Sequence, residues 1–178
     1  MAAPKSVHLA ALKTLREETG APIGEIRAAL ESSGGDERKA RELLRARGAS
    51  AAAKRQDRAT GQGRIEAYIH HDGRMGALIE VDCETDFVAR TAEFAQLCRD
   101  LAMQVAAMAP RYVRADEVPA DVRASREELK QLCLLEQPFV KDQSSSVHDL
   151  LKALVAKTGE NIVVRRFTRF MLGEALPS

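Results

Sequence analysis

Two runs of alternating residues joined across an Asp-Gly pair constrain this chain more than any other feature. Ile65, Ala67 and Ile69 alternate with Glu66, Tyr68 and His70. After His71-Asp72-Gly73-Arg74, the residues Met75, Ala77, Ile79, Val81 and Cys83 alternate with Gly76, Leu78, Glu80, Asp82 and Glu84. A period of two sends successive side chains to opposite faces of a strand, and Asp-Gly supplies the positive φ that a tight hairpin turn needs. An isolated hairpin is only marginally stable in water, so one face must be covered. The covering elements follow along the chain. Thr91 to Met108 places Phe94, Leu97, Leu101 and Val105 on one helical face and stops before Pro110. Arg111 to Asp121 reads as loop, Val122 to Leu135 as a helix carrying Leu129, Leu132 and Cys133, and Gln137-Pro138-Phe139-Val140 as extended chain. Val147, Leu150, Leu151, Leu154 and Val155 form a last amphipathic helix closed by Thr158-Gly159, and Ile162 to Leu172 is a β-rich run. The class is α+β: a small antiparallel sheet of about three strands with helices on one face.

Ahead of the hairpin lie three helical stripes. Leu9, Leu12 and Leu15 mark a helix from His8 to about Glu18, stopped at Thr19-Gly20. Pro22 fits a first helical turn, and Ile23, Ile26 and Leu30 follow at helical spacing up to Ser33-Gly34-Gly35. Asp36 is a good N-cap for a third helix with Ala40, Leu43 and Leu44 on one face and Gly48 as its stop. Ala49 to Gly63 has no apolar period and reads as a partly helical linker, placing a domain boundary near residue 55. The expected domains are 1–55, three helices, and 56–178, the α+β core.

Composition narrows the function. Of 178 residues, 45% are hydrophobic and 30% charged, which suits a folded protein rather than a disordered tail. Seven aromatics without a Trp make a wide base-stacking platform a poor expectation. No apolar run approaches the roughly 18 residues that cross a bilayer, and the N-terminus lacks the form of a secretory signal, so the expected location is cytoplasmic, without membrane binding. Cys83, Cys98 and Cys133 form no CxxC pair and read as buried or idle thiols rather than disulfide or zinc ligands. The net charge of +1 hides segments of +4 over 1–60, −5 over 61–140 and +2 over 141–178. An acidic middle segment is repelled by phosphate backbones, so the charge points to protein partners rather than nucleic acid. Lys39, Arg41, Arg45 and Arg47 then read as a solvated helix face in preference to a nucleic-acid patch, with a helix-turn-helix reader as the weaker alternative.

No catalytic constellation emerges. Glu80, Asp82, Glu84 and Asp86 would share a face of a continuing strand and could hold a hard cation, unless the strand turns into a helix at Thr85 and breaks the spacing. His70 and His71 are expected to point to opposite faces, and His8 and His148 stand apart. There is neither GxxxxGK[ST] nor GxGxxG, so no cofactor and no nucleotide of its own is expected. Phe167 and Phe170 fall on opposite strand faces, which argues against a base-stacking strand. Thr85-Asp86-Phe87-Val88 sets a large aromatic beside an acid at a strand-to-helix turn. Phe87 is either core or, if exposed, a group that a partner's pocket would explain.

Three stretches together resemble the elongation factor Ts family: Leu15-Arg16-Glu17-Glu18-Thr19-Gly20-Ala21 with Ala29-Leu30 and Ala51-Ala52-Ala53-Lys54; Glu80-Val81-Asp82-Cys83-Glu84-Thr85-Asp86-Phe87-Val88-Ala89; and Gln137-Pro138-Phe139-Val140 with Gly159-Glu160-Asn161-Ile162. The resemblance implies a ubiquitin-associated-like N-terminal domain that docks on the GTPase elongation factor Tu, with Arg16, Thr19, Gly20 and Ile23 at matching contact positions. It implies that Thr85, Asp86, Phe87 and Val88 dislodge the partner's Mg²⁺, so that the chain is a guanine-nucleotide exchange factor and not an enzyme. Single-core members of this kind are expected to be homodimers. The chain departs from the family pattern in joining the helix near Glu128 to Gln137 through Leu129 to Glu136 alone, where a longer helical segment is usual. The alternative that the residues leave open is a protein-binding or nucleic-acid-binding helical module fused to an acidic core.

Overall fold

The computed structural model describes residues 9–122 and 125–174. The chain forms two compact units, one of residues 1–58 with 152–161 and one of 59–151 with 162–178.

In the first unit, α1 (Leu9–Thr19), α2 (Ile23–Ser32) and α3 (Glu37–Ala53) bury Ala11, Leu15, Ile26, Ala29, Leu30, Ala40 and Leu44 in one cluster, with Leu12 and Ala21 packed on it. Leu15, Ile26, Leu30, Ala40 and Leu44 are positions that the helical spacing singles out, whereas Leu9, Ile23 and Leu43, expected on the same stripes, are exposed, and the small Ala11 and Ala29 take core places instead. His8 lies outside the described residues. Asp36 is the cap of α3 as expected: its Oδ1 accepts the Lys39 N–H at 3.1 Å, and that bond holds its carboxyl below the usual aspartate range. Gly48 does not stop α3, which continues to Ala53. A Cβ at Gly48 would stand 3.1 Å from the Ala156 Cβ, so this glycine serves a close approach inside the unit rather than a helix end. Beyond α3, Asn161 Nδ2 donates to the carbonyls of Gln56 and Arg58 and ties down the turn that follows the helix.

The second unit is built on β1 (Gln62–Ile69), β2 (Met75–Cys83) and β5 (Ile162–Met171), an antiparallel sheet in the order β1-β2-β5. The turn between β1 and β2 falls where Asp-Gly predicts it, with Gly73 at φ +65° and its N–H donating to the His70 carbonyl at 2.8 Å. Cross-strand partners share a face. One face carries Glu66, Ile79 and Phe167 in a row, and Tyr68, Ala77 and Arg169 in the next. The long helix α5 (Ala92–Met108) covers this face with Phe94, Leu97, Cys98, Leu101 and Val105 buried, and Arg169 Nε donates to the Ala106 carbonyl at 3.0 Å. Ala109 ends α5 in the left-handed conformation, just before the expected Pro110.

Downstream, Val122 to Leu135 is not one helix. α6 is only Arg126–Leu132, started by a capping box between Ser125 and Glu128. Cys133 is extended and bridges Tyr112, and Leu134–Glu136 forms a 3₁₀ turn. β3 (Pro138–Phe139) and β4 (Asp142–Ser146) make a separate two-stranded ribbon ahead of α7 (Val147–Thr158). A buried amide pair holds this ribbon: Gln104 Nε2 donates to Gln137 Oε1 and the Pro138 carbonyl, and Gln104 Oε1 accepts the Val140 N–H at 2.8 Å. Gln137 Nε2 in turn donates to the carbonyls of Met108 and Gln131.

Candidate docking site

The strand-to-helix turn that ends β2 is held from both sides. Thr85, extended at φ −127° and ψ 157°, caps the single-turn helix α4 (Asp86–Ala89), its hydroxyl accepting the Val88 N–H. Cys83 Sγ donates to the Thr85 carbonyl at 3.1 Å. At the other end the Thr91 hydroxyl donates to the Val88 carbonyl at 2.8 Å and accepts the Phe94 N–H at 3.2 Å, joining the turn to the start of α5. Val88 is buried and anchors the turn, and Asp86 Oδ2 lies 3.0 Å from Arg90 Nη2. Phe87, between these two, is 81% exposed. Burying such a ring is worth about 1.5–3 kcal/mol, and here that gain is forgone on a turn too well tied to fold the ring inward. The structure settles the sequence's open choice in favour of an exposed Phe87.

The helix at Thr85 also breaks the row of carboxylates. Glu80 pairs with Arg166 at 2.6 Å and Asp82 with Arg165 at 3.0 Å, while Asp86 leaves on α4. Arg165 reaches Asp82 because it is the extra residue of a β-bulge between the Glu80–Arg166 and Val81–Val164 pairs. Among the described residues no group of three or more His, Cys, Asp and Glu side chains is placed to hold a metal. The histidines differ from expectation. His70 and His71 lie at the turn, where strand alternation no longer applies, and their rings meet with centroids 4.2 Å apart, while Tyr68 Oη sits 3.0 Å from His70 Nδ1.

The cysteines behave as the sequence predicts: all three are free and buried, and desolvation pushes the Cys98 thiol up to about 12. Among the described residues no helix is long and apolar enough to cross a membrane.

In the first unit the four expected contact residues come together. Arg16, Thr19, Gly20 and Ile23 line one cleft. The Thr19 hydroxyl donates to the Leu15 carbonyl and accepts the Ala21 N–H, and Gly20 at φ +65° turns the chain, leaving Arg16 exposed and Ile23 half-exposed beside it. Arg47 and Arg55 lie on the same cleft without a sequence signal of a site, since a basic residue in a charged stretch reads as solvated surface. In the second unit the sheet face turned away from α5 leaves Ile65, Ile69, Leu78 and Phe170 exposed, which no local motif announces. The alternation of β1 and β2 marks that face only after α5 has taken the other side.

Comparison with known proteins gives these features a family. A profile described as Elongation factor TS matches residues 27–131. Curated proteins named Elongation factor Ts are similar over nearly the whole chain. That of Anaeromyxobacter sp. (strain Fw109-5) is 47% identical over 192 residues, covering 93% of this chain and 88% of its own length. That of Heliobacterium modesticaldum is 45% identical over 197 residues, covering 96% and 92%, and that of Thermotoga neapolitana is 47% identical over 188 residues, covering 92% and 95%. The chain belongs to the elongation factor Ts family and is a translation elongation factor. Alignments of 192 and 197 residues exceed its 178, so these relatives carry residues that it lacks.

Proposed function

We propose that this protein is the cytoplasmic guanine-nucleotide exchange factor of elongation factor Tu, docking through residues 1–55 and promoting GDP release with the turn at Thr85 to Val88, while 56–178 form the core and dimerisation domain. The observation that carries the reading is Phe87, exposed on a one-turn helix fixed between two capping threonines. A GTPase holds its nucleotide through backbone N–H groups of a phosphate loop and a Mg²⁺ bridging phosphate oxygens. Loss of that ion leaves phosphate charge unneutralised, and the nucleotide leaves faster. Phe87 enters an apolar pocket of the partner and shifts its walls, and Asp86 disturbs the ion's ligands and waters. No bond is made or broken, so the protein acts by binding and is not an enzyme.

Magnitudes require more than the wedge. A ten-thousandfold faster release corresponds to about 5.5 kcal/mol, beyond the roughly 1.5–3 kcal/mol of one buried Phe. Docking through Arg16, Thr19, Gly20 and Ile23 supplies a second, independent contact. Coupling is reciprocal, so bound nucleotide weakens the factor's affinity by the factor with which the protein weakens the nucleotide's, and the ternary complex is transient.

Stopped-flow release of a fluorescent GDP analogue from elongation factor Tu tests the reading. Saturable acceleration by the full chain is expected, and none from the folded protein overturns it. Arg16→Ala with Ile23→Ala should raise the concentration giving half-maximal acceleration several-fold, leaving the saturated rate nearly unchanged.

A further inference from the structure

The cleft beside Gly20 has an electrostatic character that protein docking alone does not call for. It has a volume of about 580 Å³, and Arg16, Arg47, Arg55 and Lys157 line it against one carboxylate, Glu25. Arg16 and Lys157 stand in the last turns of α1 and α7, where a cation complements the helix dipole. That account does not extend to Arg47, inside α3, or to Arg55, just past its end. The Arg55 Nη1 is buried with no hydrogen-bond partner, alone in this among the side-chain nitrogens and oxygens of the described residues. A buried unpaired guanidinium nitrogen is costly, and an anion held in the cleft that Arg55 lines would relieve that cost. The start of α2 adds donors of the same kind: Pro22 lacks an N–H and gives no side-chain cap, which leaves the first N–H groups of the helix open at the cleft.

We propose that this cleft is a binding site for a small phosphate anion, gripped by the guanidinium groups of Arg16, Arg47 and Arg55 and the N-terminal N–H groups of α2. A dianion suits the excess of cations, and the planar forks of arginine match phosphate oxygens two at a time. If the docking residues are those proposed above, phosphate and elongation factor Tu compete for one surface, and phosphate lowers the factor's affinity for its partner.

Inorganic phosphate titrated into the full chain alone, at ionic strength held constant with sodium chloride, tests the site without the GTPase, so its failure is distinct from failure of the exchange reading. Saturable binding is expected, with amide shifts concentrated at Gly20, Gly24 and Gly48 in ¹H–¹⁵N spectra. Arg55→Gln should weaken binding at least tenfold and, by removing an unpaired buried group, leave the melting temperature of the phosphate-free protein equal or higher. A lower melting temperature with unchanged phosphate affinity would assign Arg55 a structural role and overturn the proposal, as would the absence of saturable binding. Arg47→Gln provides a second variant, again expected to weaken binding. A response to malonate as strong as that to phosphate overturns the assignment, since it would leave only an unselective positive cleft.

Discussion

Phe87 and Cys98 make opposite demands on their surroundings. Phe87→Ala removes an exposed ring and nothing from the core, so its folding stability should stay within about 0.5 kcal/mol of the parent. The saturated rate of GDP release should fall at least tenfold, as expected for loss of a contact worth roughly 1.5–3 kcal/mol. Chemical denaturation and stopped-flow release read the two effects separately, and an unchanged release rate would defeat the wedge. Cys98 is closed off inside α5, its thiol held neutral by burial up to about 12, against 9.0 for a free thiol. Above pH 9 the unfolded chain therefore gives up a proton that the folded chain keeps. Stability is intact below about pH 9 and declines as the pH rises from there toward 12. Cys98→Ala should lessen that alkaline decline, measured as the pH dependence of the denaturation midpoint relative to the parent. Of these two residues, Cys98 is legible in sequence as a buried or idle thiol because no CxxC pair surrounds it, and α5 then closes it in beside Leu97 and Leu101. Phe87 could not be placed the same way, since its exposure depends on the two threonine caps that lock a turn of only four residues.

At the scale of elements, what the sequence made plain is what local periodicity and turn chemistry control. The β1–β2 hairpin, α5, α7 and the three N-terminal helices lie where alternation or helical spacing places them, because each repeats its pattern over several turns or pairs, though Leu9, Ile23 and Leu43 at the edges of the N-terminal stripes are exposed. The departures come where one residue's meaning is set by something distant. Gly48 looks like a helix stop, yet it sits against Ala156, more than a hundred residues away in sequence. The start of α6 is set by the Ser125–Glu128 box, whose signature is easily hidden in a charged run. The Gln104–Gln137 pair has no sequence signal, because polar residues on an apolar stripe carry no mark of their partners. That pair predicts a large effect. Gln104→Ala strips the Val140 N–H and Gln137 Oε1 of their bonds, and each unsatisfied buried group costs about 1–3 kcal/mol. A loss of roughly 2–5 kcal/mol is expected, read as a lower denaturation midpoint with unchanged slope. A change below about 0.5 kcal/mol would mean that water replaces the amide.

For the whole molecule, the dimerisation reading of 56–178 turns on the uncovered side of the three-stranded sheet. Ile65 and Ile69 on β1, Leu78 on β2 and Phe170 on β5 face away from α5, with Ala67 and Gly76 between them. A Cβ at Gly76 would stand 2.6 Å from Ile69 Cδ1, so the glycine lets the isoleucine lie over its neighbouring strand and flattens the patch. The Glu80–Arg166 and Asp82–Arg165 pairs border this patch at one end. An apolar centre with a polar border is the form of a docking face, and a second copy of the chain is the occupant that the proposed dimerisation role of 56–178 requires. A symmetric pair would set each Phe170 against the other sheet's apolar face, since a two-fold contact uses the same patch twice. Phe170→Glu places a charge there without touching the core, because Phe170 is exposed within one chain. The parent should sediment as a dimer and melt at a temperature that rises with protein concentration. The variant should sediment as a folded monomer whose melting temperature is independent of concentration. A monomeric parent, or a variant that stays dimeric, would show that the sheet face is not the interface between copies.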